Sequence, residues 1–184
     1  LSAPHSCRED VDLVAELCPA IKVPSGDLTN LPILKYMAEK HMPIILSTGM
    51  STMEEVKDAV NIILPINRQL ILLHCTSNYP TSIDEVNLKA MNSMKKFGLP
   101  VGYSDHTTGI GVPAAAAALG ACVIEKHFTL DRNMEGPDHK ASIEPHELKQ
   151  MISNIRDVEQ KLKKNIAGED IAKKLGVYDA LGDG

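Results

Sequence analysis

Two histidines occur in near-matching contexts, Ser104-Asp105-His106 and Glu125-Lys126-His127, each after a short apolar run. Side chains alternate faces along an extended strand, so Ser104 shares a face with His106, and Glu125 with His127. On neighbouring parallel strands about 4.8 Å apart, both imidazoles reach one small ion with oxygen groups beside them. Two imidazoles, oxygen ligands and open positions suit an octahedral Mn²⁺, Mg²⁺ or Co²⁺ better than a closed zinc site. This chemistry argues for an enzyme. A hydrogen-bonded structural histidine is the competing reading for each, and His74, at another run's end, is a third possible ligand. Asp105 points to the opposite face from Ser104 and His106, which excludes a triad. His5, His41 and His146 read as solvated.

The ends of all five apolar runs are polar: Lys22-Val23-Pro24-Ser25-Gly26-Asp27, Ser47-Thr48-Gly49-Met50, His74 to Pro80, Tyr103 to Thr107, and Glu125 to Thr129. In barrel enzymes, functional groups collect at the C-terminal ends of strands. Lys22 interrupts an apolar run. It is either a lysine snorkelling at a strand edge or a cation held for an anionic ligand. Ser25, Ser47, Ser77 and Ser104 offer hydroxyls around it. The loop amides near Gly26 and Gly49, each just before a helix, offer N–H donors for phosphate. Each serine taken singly is also ordinary turn chemistry. Gly136 to Ser142 reads either as a turn before the last helix or as a lid whose Asp138 reaches a hydroxylated substrate.

These residues need a frame. The runs Ala20–Val23, Pro43–Leu46, Gln69–Cys75, Leu99–Tyr103 and Cys122–His127 start roughly 20–30 residues apart, the cadence of parallel strands in βα units. Their nearly continuous apolar character suits strands covered on both faces. Between them, Val56, Ala59, Val60 and Ile63 make a helical stripe, as do Leu148, Met151, Ile152 and Ile155, extended by Val158 and Leu162. An opening helix is expected near Asp10–Leu17. Ser51-Thr52-Met53-Glu54 and Ser82-Ile83-Asp84-Glu85 fit the capping box. Pro145 suits the first turn of the last helix, and Gly98 and Gly120 suit C-terminal caps. The run Ala114–Ala118 presents small residues that let a helix pack closely.

Composition narrows the function. The 184 residues and net charge of −5 fit one globular domain. Aromatic content of 3 % with no Trp and a pI near 5.8 argue against nucleic-acid binding. No apolar run approaches the ~20 residues of a membrane span, and no signal-peptide pattern opens the chain. Four cysteines without a C-x-x-C pair, two of them (Cys75 and Cys122) in apolar runs, indicate buried thiols and a reducing cytoplasm. A full (β/α)₈ barrel has ~250 residues, so five strands make either part of a barrel or an open α/β sheet. Residues 1–164 are expected to form the domain and 165–184 a C-terminal extension. The absence of an initiator Met suggests processing, trimming or a fragment.

Six ordered motifs then define a resemblance: Lys-Val-Pro-Ser-Gly-Asp (22–27), Leu-Ser-Thr-Gly-Met (46–50), His-Cys-Thr-Ser-Asn-Tyr-Pro (74–80), Gly-Tyr-Ser-Asp-His-Thr (102–107), Ile-Glu-Lys-His-Phe-Thr (124–129) and Gly-Pro-Asp-His-Lys-Ala-Ser (136–142). Over about residues 10–163 the chain resembles the sialic acid synthase family, closely its bacterial N-acetylneuraminate synthases, with legionaminate and pseudaminate synthases as near neighbours. The resemblance implies a partial (β/α)₈ TIM barrel, about five parallel strands with helices outside. It also implies a C–C bond-forming transferase of sialic acid biosynthesis, which condenses phosphoenolpyruvate with an open-chain N-acetylated hexose such as N-acetylmannosamine and releases phosphate. By the same resemblance, His106 and His127 hold the divalent metal, Mn²⁺ foremost. Lys22, Ser25, Ser47, Ser77 and Ser104 cradle phosphoenolpyruvate, Ser77 standing where some members carry Asn. Tyr79, Glu125 and Asp138 contact the sugar, and Glu125 and Lys22 are the catalytic pair.

The family barrel has about three further N-terminal strands, and most members carry a C-terminal antifreeze-like domain. The expectation is a chain that keeps the metal and phosphate half-site, with little or no turnover alone. The alternatives are a catalytically incomplete fragment or a related 3-deoxy sugar acid synthase. Open edges at the first and last strands lead to an expected homo-oligomer, and the expected partners are small molecules, not nucleic acid or membrane.

Overall fold

The computed structural model describes residues 7–162; the expected extension at 165–184, and His5, lie outside the described residues. The helix α1 (Arg8–Leu17) precedes five strands: β1 (Ile21–Val23), β2 (Ile44–Ser47), β3 (Leu70–Cys75), β4 (Val101–Asp105) and β5 (Ile124–Lys126). After them come α2 (Leu31–Ala38), α3 (Met53–Ile63), α4 (Ala90–Met94), α5 (Gly111–Ala118) and α6 (Pro145–Leu162), one behind each strand. All neighbouring strands pair in parallel in the order β1-β2-β3-β4-β5. The sheet curls into a half-barrel with its helices outside, as the resemblance implied.

Strand alternation sorts the side chains into two apolar layers. Ile21, Val23, Ile44, Leu46, Leu70, Leu72, Val101 and Tyr103 join the helices in the main core. On the concave face Ile71 and Leu73 are buried, and Ala20, Ile45, Cys122 and Val123 pack on them only partly buried. Gly102 belongs to this inner layer: a Cβ there would lie 2.5 Å from the Val123 carbonyl oxygen and 2.6 Å from Leu73 Cδ2. The register pairs Ser47 with Leu73, Cys75 with Ser104, and Ser104 with Glu125. It thereby steps the polar strand ends around one rim.

Local chemistry explains the helices and corrects two expectations. The α3 stripe Val56, Ala59, Val60 and Ile63 is buried as its spacing required; each large apolar side chain so covered is worth about 1.5–3 kcal/mol. Its capping box is one residue later than expected. Glu55 N–H donates to Thr52 Oγ1 at 3.3 Å, and Thr52 N–H donates to Glu55 Oε2 at 2.7 Å. The second expected box, Ser82 to Glu85, opens only a 3-10 turn. The Ser82 hydroxyl turns to Asp84, and Glu85 Oε2 accepts from Asn78 instead of reaching back. The chain then takes a left-handed turn at Asn87 (φ 42°) before the short α4. Gly98 and Gly120, at φ 67° and 91°, occupy left-handed positions at helix ends.

Candidate active site

A cavity of about 380 Å³ opens at the C-terminal rim of the strands, a volume within the range of small-ligand pockets. The cationic corner is built by β1. Lys22 Nζ donates to Ser47 Oγ at 2.8 Å and to its neighbour's carbonyl, Val23 O, at 3.2 Å, and it faces Glu125 Oε2 at 3.5 Å. The snorkelling alternative for Lys22 is thereby set aside, because its side chain is 16 % exposed and turned into the cavity. Ser104 Oγ donates to Glu125 Oε1 at 2.7 Å. Lys22 and Ser104 thus clamp both oxygens of the Glu125 carboxylate.

The histidine pair lies beside this array. The ring centroids of His106 and His127 are 5.6 Å apart. His106 Nδ1 donates to the Thr76 carbonyl at 2.6 Å. A carbonyl only accepts, so this bond fixes the proton on Nδ1 and leaves Nε2 with a lone pair. Nε2 stands 3.4 Å from Ser104 Oγ. Burial pushes the His106 pKa below the usual histidine value, outweighing the opposing bond to Thr76, and His127 beside it pushes the same way. The Tyr79 ring lies 4.2 Å from His106, tilted by 35°, and meets His127 edge-on at 5.5 Å. Burial also raises the Tyr79 pKa, so the phenol keeps its proton at neutral pH.

Nine of the ten residues singled out from the sequence line this one cavity: Lys22, Ser25, Ser47, Ser77, Tyr79, Ser104, His106, Glu125 and His127. Asp138 is not brought in; it sits exposed on the loop before the last helix, near enough to add negative potential at Tyr79. His74 is turned outward, its Nε2 donating to the Val86 carbonyl at 2.9 Å. The Gly49 amide does not present a free N–H; it donates to Ser25 Oγ at 3.0 Å. The adjacent helix start is closed by its own capping carboxylate.

Cys75 and Met50 are among the lining residues to which the sequence assigned no role in the site. Cys75 is buried as expected, at 6 % exposed, yet its Sγ lies 3.1 Å from Ser25 Oγ in the cavity wall. The alternation Ile71, Leu73, Cys75 carried the signal for an inward face. Met50, 77 % exposed at the mouth with φ 59°, had no signal beyond its place after a strand end.

On the outer face, Asp105 and Lys126 form a buried ion pair at 2.6 Å. Lys126 also donates to the Thr107 carbonyl at 2.7 Å, and Asp105 accepts from Tyr103 and Thr107. Burial, and then the Asp105 charge, push the Tyr103 phenol up. Glu144, His146 and Glu147 bring three ligand atoms within 4.8 Å at the start of α6. Their carboxylates are already committed: Glu144 Oε1 accepts from Arg132 N–H, and Glu147 Oε2 accepts from Glu144 N–H and pairs with Arg132. They close the helix end, and His146 is exposed beside them as expected. A larger cavity of about 590 Å³ between α3 and α4 is walled by Met53, Val56 and Met94, and Lys89 and His74 are its basic lining among the described residues.

No helix among the described residues is long and apolar enough to cross a membrane. Comparisons with known proteins agree with the site's frame. A family model described as "NeuB family" matches residues 1–167. The chain is 56 % identical over 165 residues to N,N'-diacetyllegionaminic acid synthase of Campylobacter jejuni, covering 87 % of this chain and 49 % of that protein. It is 43 % identical over 155 residues to human N-acetylneuraminate-9-phosphate synthase, covering 83 % and 43 %. The crystal structure of the spore coat polysaccharide biosynthesis protein spsE from Bacillus subtilis superposes with a TM-score of 0.81 at 37 % identity, covering 86 % of this chain and 46 % of that one. The chain spans about half the length of the curated relatives it matches.

Proposed function

The chain belongs to the NeuB family, and from that premise we propose that its rim cavity is the phosphoenolpyruvate and metal half-site of a nonulosonate synthase. The observation that carries the reading is the array Lys22–Glu125–Ser104 beside the pair His106–His127 in one cavity. The whole protein would join phosphoenolpyruvate to an N-acetylated hexose, either an N-acetylmannosamine-like acceptor or the diacetylated sugar implied by the legionaminic acid relative.

The residues fit a divalent cation. His106 gives one ring N–H to a backbone carbonyl, the arrangement that orients metal-binding imidazoles, and its free Nε2 and His127 line the same space. Mn²⁺ is the first choice, with Mg²⁺ or Co²⁺ as alternatives. When bound, the ion supplies a Lewis acid for the sugar aldehyde.

The chain's own groups do the rest. Lys22 with Ser25, Ser47 and Ser77 holds the phosphate, and Ser104 holds Glu125. The enol carbon of phosphoenolpyruvate forms a bond to the aldehyde carbon, leaving positive charge at C2. The Glu125 carboxylate, held at both oxygens, stabilises that charge. The aldehyde oxygen, left as an alkoxide, takes the proton that water sheds as it adds at C2. The new C2 hydroxyl then loses its remaining proton as the C2–O bond to phosphate breaks, leaving a C2 ketone and inorganic phosphate. Tyr79 and Asp138 would contact the sugar at the mouth. Holding both substrates in line supplies much of the rate.

The partly open concave layer of Ile45, Cys122 and Val123 supports the half-site form of the proposal, with little turnover by these residues alone. The half-buried β5 at the sheet edge supports self-association through that edge. Cytoplasmic residence follows from the phosphoenolpyruvate substrate and the free thiols.

Calorimetric titration with Mn²⁺ and with phosphoenolpyruvate tests the site, and phosphate release with N-acetylmannosamine or its diacetylated analogue tests turnover. Binding of both ligands, lost for Mn²⁺ in His106→Ala and His127→Ala, is expected. Absence of both binding events removes the reading, and robust turnover by the chain alone removes its half-site form.

A further inference from the structure

Gly49 follows β2 and is buried. It is not among the described glycines with a positive φ, so its backbone does not demand glycine. Its surroundings do. A Cβ at this position would lie 2.3 Å from Ser77 Oγ, 2.8 Å from Cys75 Sγ and 2.9 Å from Ser25 Oγ. Three polar side-chain ends, from the end of β3 and the loops after β1 and β3, converge on the space of one missing methyl group. The Gly49 N–H donates to Ser25 Oγ at 3.0 Å, and Cys75 Sγ is 3.1 Å from the same oxygen.

We propose that Gly49 is the positioning residue of the anion cradle and that Cys75 is its helper. The inference rests on the phosphoenolpyruvate reading above and says what places that site's donors. A hydroxyl has one proton to give and two lone pairs to receive on. The Gly49 amide takes one lone pair of Ser25 and the Cys75 thiol donates to the other. The Ser25 proton is then left to point at a phosphate oxygen. No proton changes owner; only hydroxyl and thiol orientations change. The vacant Cβ position lets Ser77 approach the same point, so two hydroxyls serve one anion.

This geometry makes a clean experiment. The atoms a new methyl group would meet are the rotatable ends of two serines and a cysteine, not backbone. Gly49→Ala therefore swings those ends apart while leaving the fold in place. Phosphoenolpyruvate is titrated into the full 184-residue chain, with and without Mn²⁺, for the wild type, Gly49→Ala, Cys75→Ala and Cys75→Ser, each with a thermal unfolding curve.

The expected result is binding weakened more than about tenfold in Gly49→Ala with a melting temperature close to wild type. Cys75→Ala should weaken binding roughly three- to tenfold, the scale of one lost hydrogen bond, and Cys75→Ser should restore it. Wild-type affinity in Gly49→Ala overturns the inference and leaves the functional reading standing. If Gly49→Ala fails to fold, the cysteine pair decides: equal weakening in Cys75→Ala and Cys75→Ser means packing alone and also overturns it. No binding by the wild type overturns the functional reading and this inference together.

Discussion

Lys22 on β1 places its ammonium 3.5 Å from the carboxylate of Glu125 on β5, the opposite edge of the same sheet. In a flat sheet those strands would be about 19 Å apart, four spacings of ~4.8 Å. No pair of side chains spans that distance and meets at contact range. The ion pair is therefore a direct measure of the curl, and it converts five strand ends into one enclosed rim. The same contact brings Lys22, the only lysine or arginine of the cavity wall among the described residues, the Glu125 anion and both imidazoles into one cavity.

Removing the cation tests that arrangement. Lys22→Met leaves Glu125 without its counter-ion beside the phosphate, and it deletes a charge-assisted contact worth about 1.5–3 kcal/mol. Phosphoenolpyruvate binding by calorimetry should weaken roughly ten- to a hundredfold, while Glu125→Gln should bind at least as tightly as wild type. Equal losses in the two variants would mean that the pair acts only as a structural brace.

His106 should leave an acid signature on stability in the metal-free chain. Its folded pKa is depressed below 6.5, chiefly by burial, so the unfolded state binds the proton more readily. Stability from this group is complete above about pH 6.5 and falls as pH drops through that value toward the depressed folded pKa. Wild type should lose more melting temperature than His106→Asn between about pH 7.5 and 5.5. Parallel acid slopes would refute the assignment.

The Asp105–Lys126 pair should matter to stability rather than ligand binding. Its side chains are 0 % and 2 % exposed, and it faces away from the cavity. Asp105→Asn or Lys126→Met strands one buried partner, a loss of about 3–5 kcal/mol. Urea denaturation should show this, with phosphoenolpyruvate affinity unchanged in whatever fraction folds. The double variant Asp105→Asn/Lys126→Met should cost less than the two single losses added.

Much of the frame was legible because its causes are local. The runs at Pro43–Leu46 and Gln69–Cys75 became β2 and β3 within a residue of their expected starts, since unbroken apolar segments of that length have few other ways to be buried. The α3 stripe was readable from its spacing. The capping residue was not: Ser51 and Thr52 both fit the pattern, and only the three-dimensional entry angle gave the role to Thr52 and Glu55. Ser82 failed as a cap because Asn78 competes for Glu85, a contact no linear pattern announces. Asp138 shared its motif with the family yet stays on an exposed loop.

The sequence by itself determined which residues share a face. A two-residue period places Lys22, Ser47, Ser104 and Glu125 at strand ends with definite orientations, and a 3.6-residue period turns Val56 and Val60 into the helix-side core behind the sheet. Tertiary structure alone decided which of those ends meet. Lys22 reaches Ser47 and Glu125, and Gly49 yields its space to Ser25, Cys75 and Ser77, through register and curl. Those depend on the summed twist of strands and the packing of helices behind them, distributed over the whole sheet rather than written at any one position.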